Sequence, residues 1–146
     1  MYRPDTKPHK SIRLKGYDYS RAGAYFVTIC THNKECLFGS VMGENMVLSD
    51  FGRMVEMEFG KPQSGSLSAI VGSFKSAVAK QINLMRNTPG KEVWQRNYYE
   101  HIIRNPEELQ RIREYIIHNP LKWHLDRDNP AGIPDESELK FWKEFL

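Results

Sequence analysis

The most constraining feature of this sequence is a long amphipathic segment in its middle. From Leu67 to Met85, apolar side chains recur at three- and four-residue steps, which is the spacing of one face of an α-helix. Chain-breaking residues flank the segment at 60–66 and at 87–90. The pattern predicts one long helix. Its expected inward-facing side chains are Leu67, Ile70, Val71, Phe74, Val78, Ile82 and Met85.

Several shorter patterns precede this helix. Residues 25–32 are aromatic and β-branched, which predicts a strand, and residues 37–48 contain short apolar pieces around a turn at 43–45, which predicts a hairpin. Ser49 or Asp50 can cap a first helix, because apolar residues follow at helical spacing. The sequence therefore begins with a strand, a hairpin and a helix.

Further patterns follow the long helix. Residues 93–99 favour an extended conformation. Asn105 and Pro106, followed by two glutamates, predict an N-cap, a first-turn proline and acidic groups at a helix start. This last helix is expected to run to 119–120. Its expected inward-facing residues are Leu109, Ile112, Ile116 and Ile117.

These elements predict a single α+β domain over residues 1–146. We divide it into a basic arm at 1–21, a core at 22–125 and a C-terminal appendage at 126–146. The appendage contains Phe141, Trp142 and Phe145, which need a place to bury. Apart from the hairpin, the pattern predicts two strands, one before and one after the two helices. They are too few to cover both helices, since a two-stranded sheet is only marginally stable.

The charge distribution suggests contact with phosphate groups. Residues 1–21 carry six basic and two acidic side chains, and residues 61–124 carry ten and five. Residues 22–60 and 125–146 are acidic on balance. Two basic blocks could neutralise a nucleic-acid backbone, although a solvated basic face would give the same pattern.

Other classes of protein fit the sequence poorly. No apolar run approaches the roughly 18 residues of a membrane span, and the N-terminus lacks the apolar stretch of a signal peptide, so the expected location is the cytoplasm and no membrane partner is expected. Cys30 and Cys36 fit no paired metal-ligand spacing. Neither a disulfide scaffold nor a zinc ribbon is predicted.

Four stretches carry a resemblance to a known family. They are SIRLKGYDY at 11–19, AYFVTICTHN at 24–33, IVGSFKS at 70–76 and, above all, VWQRNYYEHIIRN at 93–105, continued by YIIHNP at 115–120. Over roughly residues 11–130, the chain resembles the REP-associated branch of the single-tyrosine HUH transposases. This resemblance implies a truncated ferredoxin-like antiparallel sheet with helices packed on it, and a homodimer. It also implies recognition of single-stranded or hairpin DNA at the bacterial nucleoid, and DNA transposition.

The resemblance also assigns roles to residues. It implies that Tyr115 is the nucleophile that nicks single-stranded DNA through a 5′-phosphotyrosine. It implies Mg²⁺ or Mn²⁺ as the cofactor, held by Asn119 and by a histidine pair with one residue between the two histidines. Tyr115 and Asn119 are four residues apart, so both lie on one helix face. On its own pattern, Tyr115 also fits the edge of a core.

The histidine pair of the family is absent from this sequence. No two of the five histidines are separated by a single residue. The chain passes directly from its first helix into the loop before the second, which indicates an internal deletion near 58–66. His101 and His118 could substitute as ligands, but structural or exposed roles fit them better. We therefore expect catalysis to be impaired, because charge neutralisation at phosphate is a large catalytic contribution.

Three functions remain open from the sequence alone. The chain could be a metal-dependent DNA nickase, a non-catalytic remnant that binds hairpin DNA, or a deletion product without function. In the first two, basic side chains contact phosphates and aromatic ones stack on bases, although Trp94 equally fits a core position. The predicted DNA-binding residues are Arg13, Lys15, Tyr17, Lys75, Trp94, Arg96, Tyr98 and Arg104.

Overall fold

The computed structural model describes residues 18, 23–61 and 64–145. The elements in chain order are β1 (Ala24–Thr28), β2 (Gly39–Met42), β3 (Asn45–Leu48), α1 (Asp50–Phe59), α2 (Leu67–Arg86), β4 (Tyr99–Ile103), α3 (Pro106–His118) and α4 (Glu136–Phe145). Short 3₁₀ turns lie at His32–Lys34 and Trp123–Leu125. None of the helices in these residues is both long enough and apolar enough to cross a bilayer.

The strands form two small antiparallel sheets. β1 pairs with β4, so that Ala24 lies opposite Ile103 and Thr28 lies opposite Tyr99. β2 and β3 form a hairpin of their own. The predicted α+β class, with helices packed on antiparallel strands, is confirmed.

Local signals fix where the helices begin. The Ser49 hydroxyl oxygen accepts a hydrogen bond from the backbone N–H of Gly52 at 3.1 Å, which caps α1. The Asn105 side-chain oxygen accepts one from the N–H of Glu108 at 2.8 Å, which caps α3 as predicted. Gly52 also lets α1 approach the hairpin, because a Cβ there would lie 2.0 Å from the carbonyl oxygen of Phe38.

Two clusters of buried side chains form the interior. The first, which we call the β1–β4 core, consists of Phe26, Ile112, Trp142 and Phe145. The second, between α2 and the hairpin, consists of Leu37, Val78, Ile82 and Val93. Of the C-terminal aromatic residues predicted to be buried, Trp142 and Phe145 are buried and Phe141 is partly buried, and α4 supplies half of the first core.

Three side chains predicted to face inward are exposed instead. Ile116 and Ile117 are 54% and 71% exposed, and Met85 is 57% exposed. All three lie in the last turns of their helices. The apolar pattern of α2 and α3 continues into their last turns, but the narrow sheets of the described chain do not extend far enough to cover those turns.

The second strand of the β1–β4 sheet begins later than predicted. The pattern at 93–99 predicts an extended conformation, but β4 spans Tyr99–Ile103. Before it, Trp94 forms an isolated bridge to Thr31, beyond the end of β1. Thr28 lies opposite Tyr99 and Thr31 lies opposite Trp94. The segment from Trp94 to Tyr99 is two residues longer than the segment from Thr28 to Thr31, so the chain bulges between Trp94 and Tyr99. Asn97, with a φ of 63°, turns the chain there.

Candidate functional site

Tyr115, the predicted nucleophile, lies on α3 with its hydroxyl group enclosed by two carboxylates. The hydroxyl oxygen lies 2.9 Å from Glu138 Oε1 and 3.2 Å from Asp126 Oδ2. Both acidic residues are buried, with 8% of Glu138 and 5% of Asp126 exposed. A phenol has a single proton, so the hydroxyl donates to one of these acceptors at a time.

The C-terminal helix covers the ring of Tyr115. The Phe141 ring stacks on it with 3.9 Å between centroids and 8° between planes, and the Trp142 ring meets it edge-on at 5.8 Å. An ion pair between Arg111 of α3 and Glu144 of α4 joins the same two helices, with Nη2 2.6 Å from Oε2. The aromatic ring is therefore held between α3 and α4.

Further hydrogen bonds satisfy the two buried carboxylates. Asp126 accepts hydrogen bonds from the side-chain amide of Asn119 and from the backbone N–H of Asp128. Glu138 accepts one from the Trp142 indole N–H at 2.6 Å. Buried anions persist where such donors surround them. We refer to Tyr115, Asn119, Asp126, Glu138 and Trp142 as the Tyr115 cluster.

The surroundings of Tyr115 oppose ionisation of its hydroxyl. Burial is the largest effect and raises the pKa of Tyr115 well above its usual range; the negative charge of Asp126 and the hydrogen bond with Glu138 raise it further. A phenol attacks phosphorus best as the phenolate. Both carboxylates also repel an approaching phosphodiester. In this geometry, Tyr115 is a poor nucleophile and a well-placed structural group.

We expect Tyr115 to ionise only well above the usual pKa of a tyrosine. Its raised pKa stabilises the fold fully below about pH 10, and this stabilisation declines at higher pH, where the unfolded chain ionises and the folded chain does not. Ultraviolet absorbance of phenolate in a pH titration measures this. The wild type and Tyr115→Phe should show equal numbers of titrating tyrosines up to alkaline unfolding, and one tyrosine fewer in the variant below about pH 10 would contradict the assignment.

The ligands that the resemblance implies for Mg²⁺ or Mn²⁺ do not come together in the described part of the chain. Asn119 directs its amide nitrogen, a donor, at Asp126. His101 pairs with Glu108 at 3.2 Å, and His118 bonds the carbonyl oxygen of Glu114. No group of three or more His, Cys, Asp or Glu side chains among these residues is placed to hold a metal ion. The described residues therefore do not fit the implied metal site.

Three of the predicted DNA-binding residues meet at one place. The Lys75 ammonium group on α2 donates hydrogen bonds to the carbonyl oxygens of Gln95 at 2.8 Å and Asn97 at 3.0 Å. The Trp94 indole N–H donates to the carbonyl oxygen of Lys75 at 2.9 Å. Lys75 and Trp94 thus fasten residues 94–98, which we call the 94–98 loop, to α2. Arg96 lies exposed at the bulge of this loop.

These contacts give the predicted residues different roles. Burial lowers the pKa of Lys75, and its ammonium group is already bonded to the loop, so Lys75 positions the loop. The Trp94 ring packs against Phe38 and Phe74 at centroid distances of 5.4 and 6.1 Å. Stacking on a base would require Trp94 to leave these rings. Arg96 is the exposed basic side chain of the loop.

The other predicted DNA-binding residues lie elsewhere. Tyr98 is half-buried within the loop. Arg104 lies apart, exposed just before α3, where its backbone N–H donates to the Glu108 carboxylate at 3.0 Å. The remaining three, Arg13, Lys15 and Tyr17, lie outside the described residues.

Together, the fold and the site define an α+β protein with a buried tyrosine–carboxylate cluster. Comparison with known proteins finds similarity to a Haemophilus influenzae protein described only as an uncharacterized protein. The two are 35% identical over 166 residues, which cover 81% of this chain and 91% of the relative. The chain belongs to the same family as this Haemophilus protein. No family model matches the chain, and no solved structure matches it.

The alignment with the relative is longer than this chain. It extends over 166 positions, whereas this chain has 146 residues, of which 81% are aligned. Within the aligned span, the Haemophilus protein therefore contains residues that have no counterpart here.

Proposed function

We propose that this chain is a DNA-binding protein of the transposase type, which binds single-stranded or hairpin DNA without nicking it. One observation carries the binding part of this proposal. The sequence predicts DNA contact for Lys75, Trp94 and Arg96, and these residues meet at the 94–98 loop although Lys75 and Gln95 are 20 residues apart. A loop held rigid by Lys75 presents the exposed Arg96 to a phosphate backbone.

The absence of nicking is supported by the Tyr115 cluster. Cleavage through a phosphotyrosine needs an accessible hydroxyl and a cation that neutralises the phosphate. Tyr115 instead lies against two buried carboxylates and the Phe141 ring. The histidine pair of the resembling family is missing, which fits the internal deletion that we infer near residues 58–66. The alignment with the Haemophilus relative is longer than this chain, so the relative contains residues without a counterpart here.

Fluorescence anisotropy with a labelled hairpin oligonucleotide at several salt concentrations tests the binding. Arg96→Ala is expected to weaken binding to all sequences alike, and to reduce the slope of log K against log salt by about 0.7 to 1, because one phosphate contact is lost. Lys140→Ala removes the same charge from an exposed position on α4 and should leave both quantities unchanged. Equal effects of the two variants would contradict an interface at the loop.

A denaturing gel with Mg²⁺ or Mn²⁺ tests the absence of nicking. The wild type and Tyr115→Phe should both give no covalent protein–DNA adduct, while a native gel shows the bound complex. An adduct that disappears in Tyr115→Phe would contradict the proposal and would support a DNA nickase that uses Tyr115 as its nucleophile. If the wild type binds no DNA even at low salt, the proposal fails and a deletion product without function is left.

A further inference from the structure

Phe59 is an aromatic side chain exposed to solvent at the end of α1. It is the last residue of this helix, and 76% of it is exposed. Among the residues that the structure describes, no other Phe, Tyr or Trp side chain is exposed. Single exposed apolar residues are common on protein surfaces, so exposure alone assigns no role to this ring. Its position relative to the 94–98 loop does.

The packing of the last turn of α1 explains why Phe59 is not covered. Val55 precedes it by four residues on the same helix face and packs against the core between α2 and the hairpin. In the last turn Glu58 is buried instead, with 8% of it exposed. Its carboxylate accepts hydrogen bonds from Lys61 at 2.6 Å and from Gln81 of α2 at 3.3 Å. The helix thus places a paired carboxylate against α2 and leaves the ring outside.

A row of aromatic rings connects Phe59 to the 94–98 loop. The Phe59 and Phe74 rings lie 6.2 Å apart between centroids, with 89° between their planes. The Phe74 ring in turn lies 6.1 Å from that of Trp94, the first residue of the loop. Phe74 also directly precedes Lys75, whose ammonium group fastens the loop to α2. The exposed ring and the loop therefore contact the same part of α2.

The ring of Phe59 has a free face on which a flat group can stack. Two perpendicular rings meet edge to face, so Phe74 covers at most one face of Phe59. The high exposure of Phe59 agrees with a second face that is open to solvent. The exposed charged residues that flank it in the sequence, Glu56 and Lys61, are of opposite sign. The ring therefore offers a stacking surface rather than a site that neutralises charge.

A flat apolar surface next to a basic loop matches the chemistry of a single nucleic-acid strand. Nucleobases of every sequence stack on aromatic side chains, whereas phosphates are bound by cations. Bases in a duplex are already stacked and paired, so the ring favours an unpaired base. Because successive rings lie 6.2 and 6.1 Å apart and a strand rises about 3.4 Å per nucleotide, a few nucleotides reach from Phe59 to the loop.

We propose, on the basis of the DNA binding proposed above, that an unpaired nucleobase stacks on the free face of Phe59 while Arg96 contacts the phosphate backbone. Phe59 thereby takes the stacking role that the sequence predicts for Trp94, whose ring is packed against Phe38 and Phe74. The 94–98 loop provides affinity for any phosphate backbone. Phe59 provides the preference for unpaired over paired DNA.

Fluorescence anisotropy with the full chain compares a labelled single-stranded oligonucleotide with the blunt duplex of the same sequence. Phe59→Ala is expected to weaken single-strand binding about tenfold, within the roughly five- to hundredfold loss that follows removal of one stacked base. Binding of the duplex should stay as in the wild type. The slope of log K against log salt for the single strand should also stay unchanged, because no phosphate contact is lost.

Two further substitutions separate stacking from packing. Phe59→Leu keeps an apolar contact with Phe74 but has no aromatic face, and it should weaken single-strand binding as Phe59→Ala does. Phe59→Trp keeps an aromatic face and should bind the single strand at least as tightly as the wild type. If Phe59→Leu binds the single strand like the wild type, the stacking role is overturned.

Met57→Ala is the matched control, because Met57 is 75% exposed in the same turn of α1 and has no aromatic ring. It should leave binding of both DNAs unchanged. Equal weakening by Met57→Ala and Phe59→Ala overturns the stacking role, and so does an equal loss of single-strand and duplex binding in Phe59→Ala. A stable dimer of the free chain that Phe59→Ala dissociates also overturns it, since a second copy would then cover the ring.

Failure of the stacking role and failure of the DNA-binding function give different results. If the wild type binds DNA and Arg96→Ala reduces the salt slope, but Phe59→Ala binds the single strand as tightly as the wild type, the stacking role is overturned and the DNA-binding function stands. If the wild type binds neither DNA at low salt, both are overturned.

Discussion

Phe145→Ala is expected to lower the free energy of unfolding by about 3–5 kcal/mol, the usual cost of removing a fully buried aromatic ring. Phe145 is 2% exposed and lies in the last turn of α4. Its ring contacts Phe141 at 4.9 Å and His101 at 5.2 Å between centroids, and the Arg111 guanidinium lies 5.1 Å from it. The substitution opens a cavity where α3, α4 and β4 meet.

Such a loss would leave a domain of this size close to unfolding, because typical domains are stable by about 5–15 kcal/mol. Urea denaturation followed by tryptophan fluorescence measures the change, since Trp142 belongs to the same core. Leu139→Ala on the same helix is the control: Leu139 is 59% exposed, so its truncation should change stability by less than about 0.5 kcal/mol. Similar losses for both variants would mean that α4 does not pack as described.

Asp126→Ala is expected to lower the free energy of unfolding by roughly 3 kcal/mol, because it removes an acceptor shared by three partly buried donors. Asp126 accepts hydrogen bonds from the Tyr115 hydroxyl at 3.2 Å, from the Asn119 amide, and from the backbone N–H of Asp128 at 2.7 Å. Each unsatisfied buried group costs about 1–3 kcal/mol. Asp126→Asn, which keeps the shape and one oxygen acceptor, should lose less.

A double-mutant cycle separates the part of this loss that passes through Tyr115. Tyr115→Phe alone should cost about 1 kcal/mol, the net value of a typical hydrogen bond. If the two groups interact as described, the double variant should lose less than the sum of the two single losses. Strict additivity would show that Asp126 stabilises the fold without Tyr115. Equilibrium urea unfolding of the four proteins provides the data.

Much of the fold follows from local sequence. Ser49 and Asn105 cap their helices as predicted, because a side-chain oxygen can satisfy a free backbone N–H only a few residues away. The hairpin at 37–48 and the long helix after residue 66 also lie where the pattern puts them. These features depend on residues that are close to one another in the sequence.

Periodicity failed where it had to predict what lies opposite a helix. Ile116 and Ile117 continue the apolar pattern of α3, yet both are exposed. A pattern records which side chains would benefit from burial, whereas burial itself requires a partner surface. The sheet of β1 and β4 is too narrow to provide one along the whole helix.

The predicted start of β4 was wrong for a related reason. The residues at 93–99 have high intrinsic strand preference, but Lys75 holds the carbonyl oxygens of Gln95 and Asn97 and the chain bulges there. The contact from Lys75 of α2, which is distant in sequence, therefore overrides the local strand preference, and β4 begins only at Tyr99.

Sequence patterns alone predicted the elements from β1 to α3, the α+β class, and Tyr115 and Asn119 as neighbours on one helix face, whereas α4 was not predicted. Only the tertiary structure brought Asp126 and Glu138, which lie 11 and 23 residues beyond Tyr115, to its hydroxyl group. The physical reason is range. Caps and periodicity act within one chain segment, whereas the ionisation of a buried phenol depends on whichever charges and rings the fold packs against it.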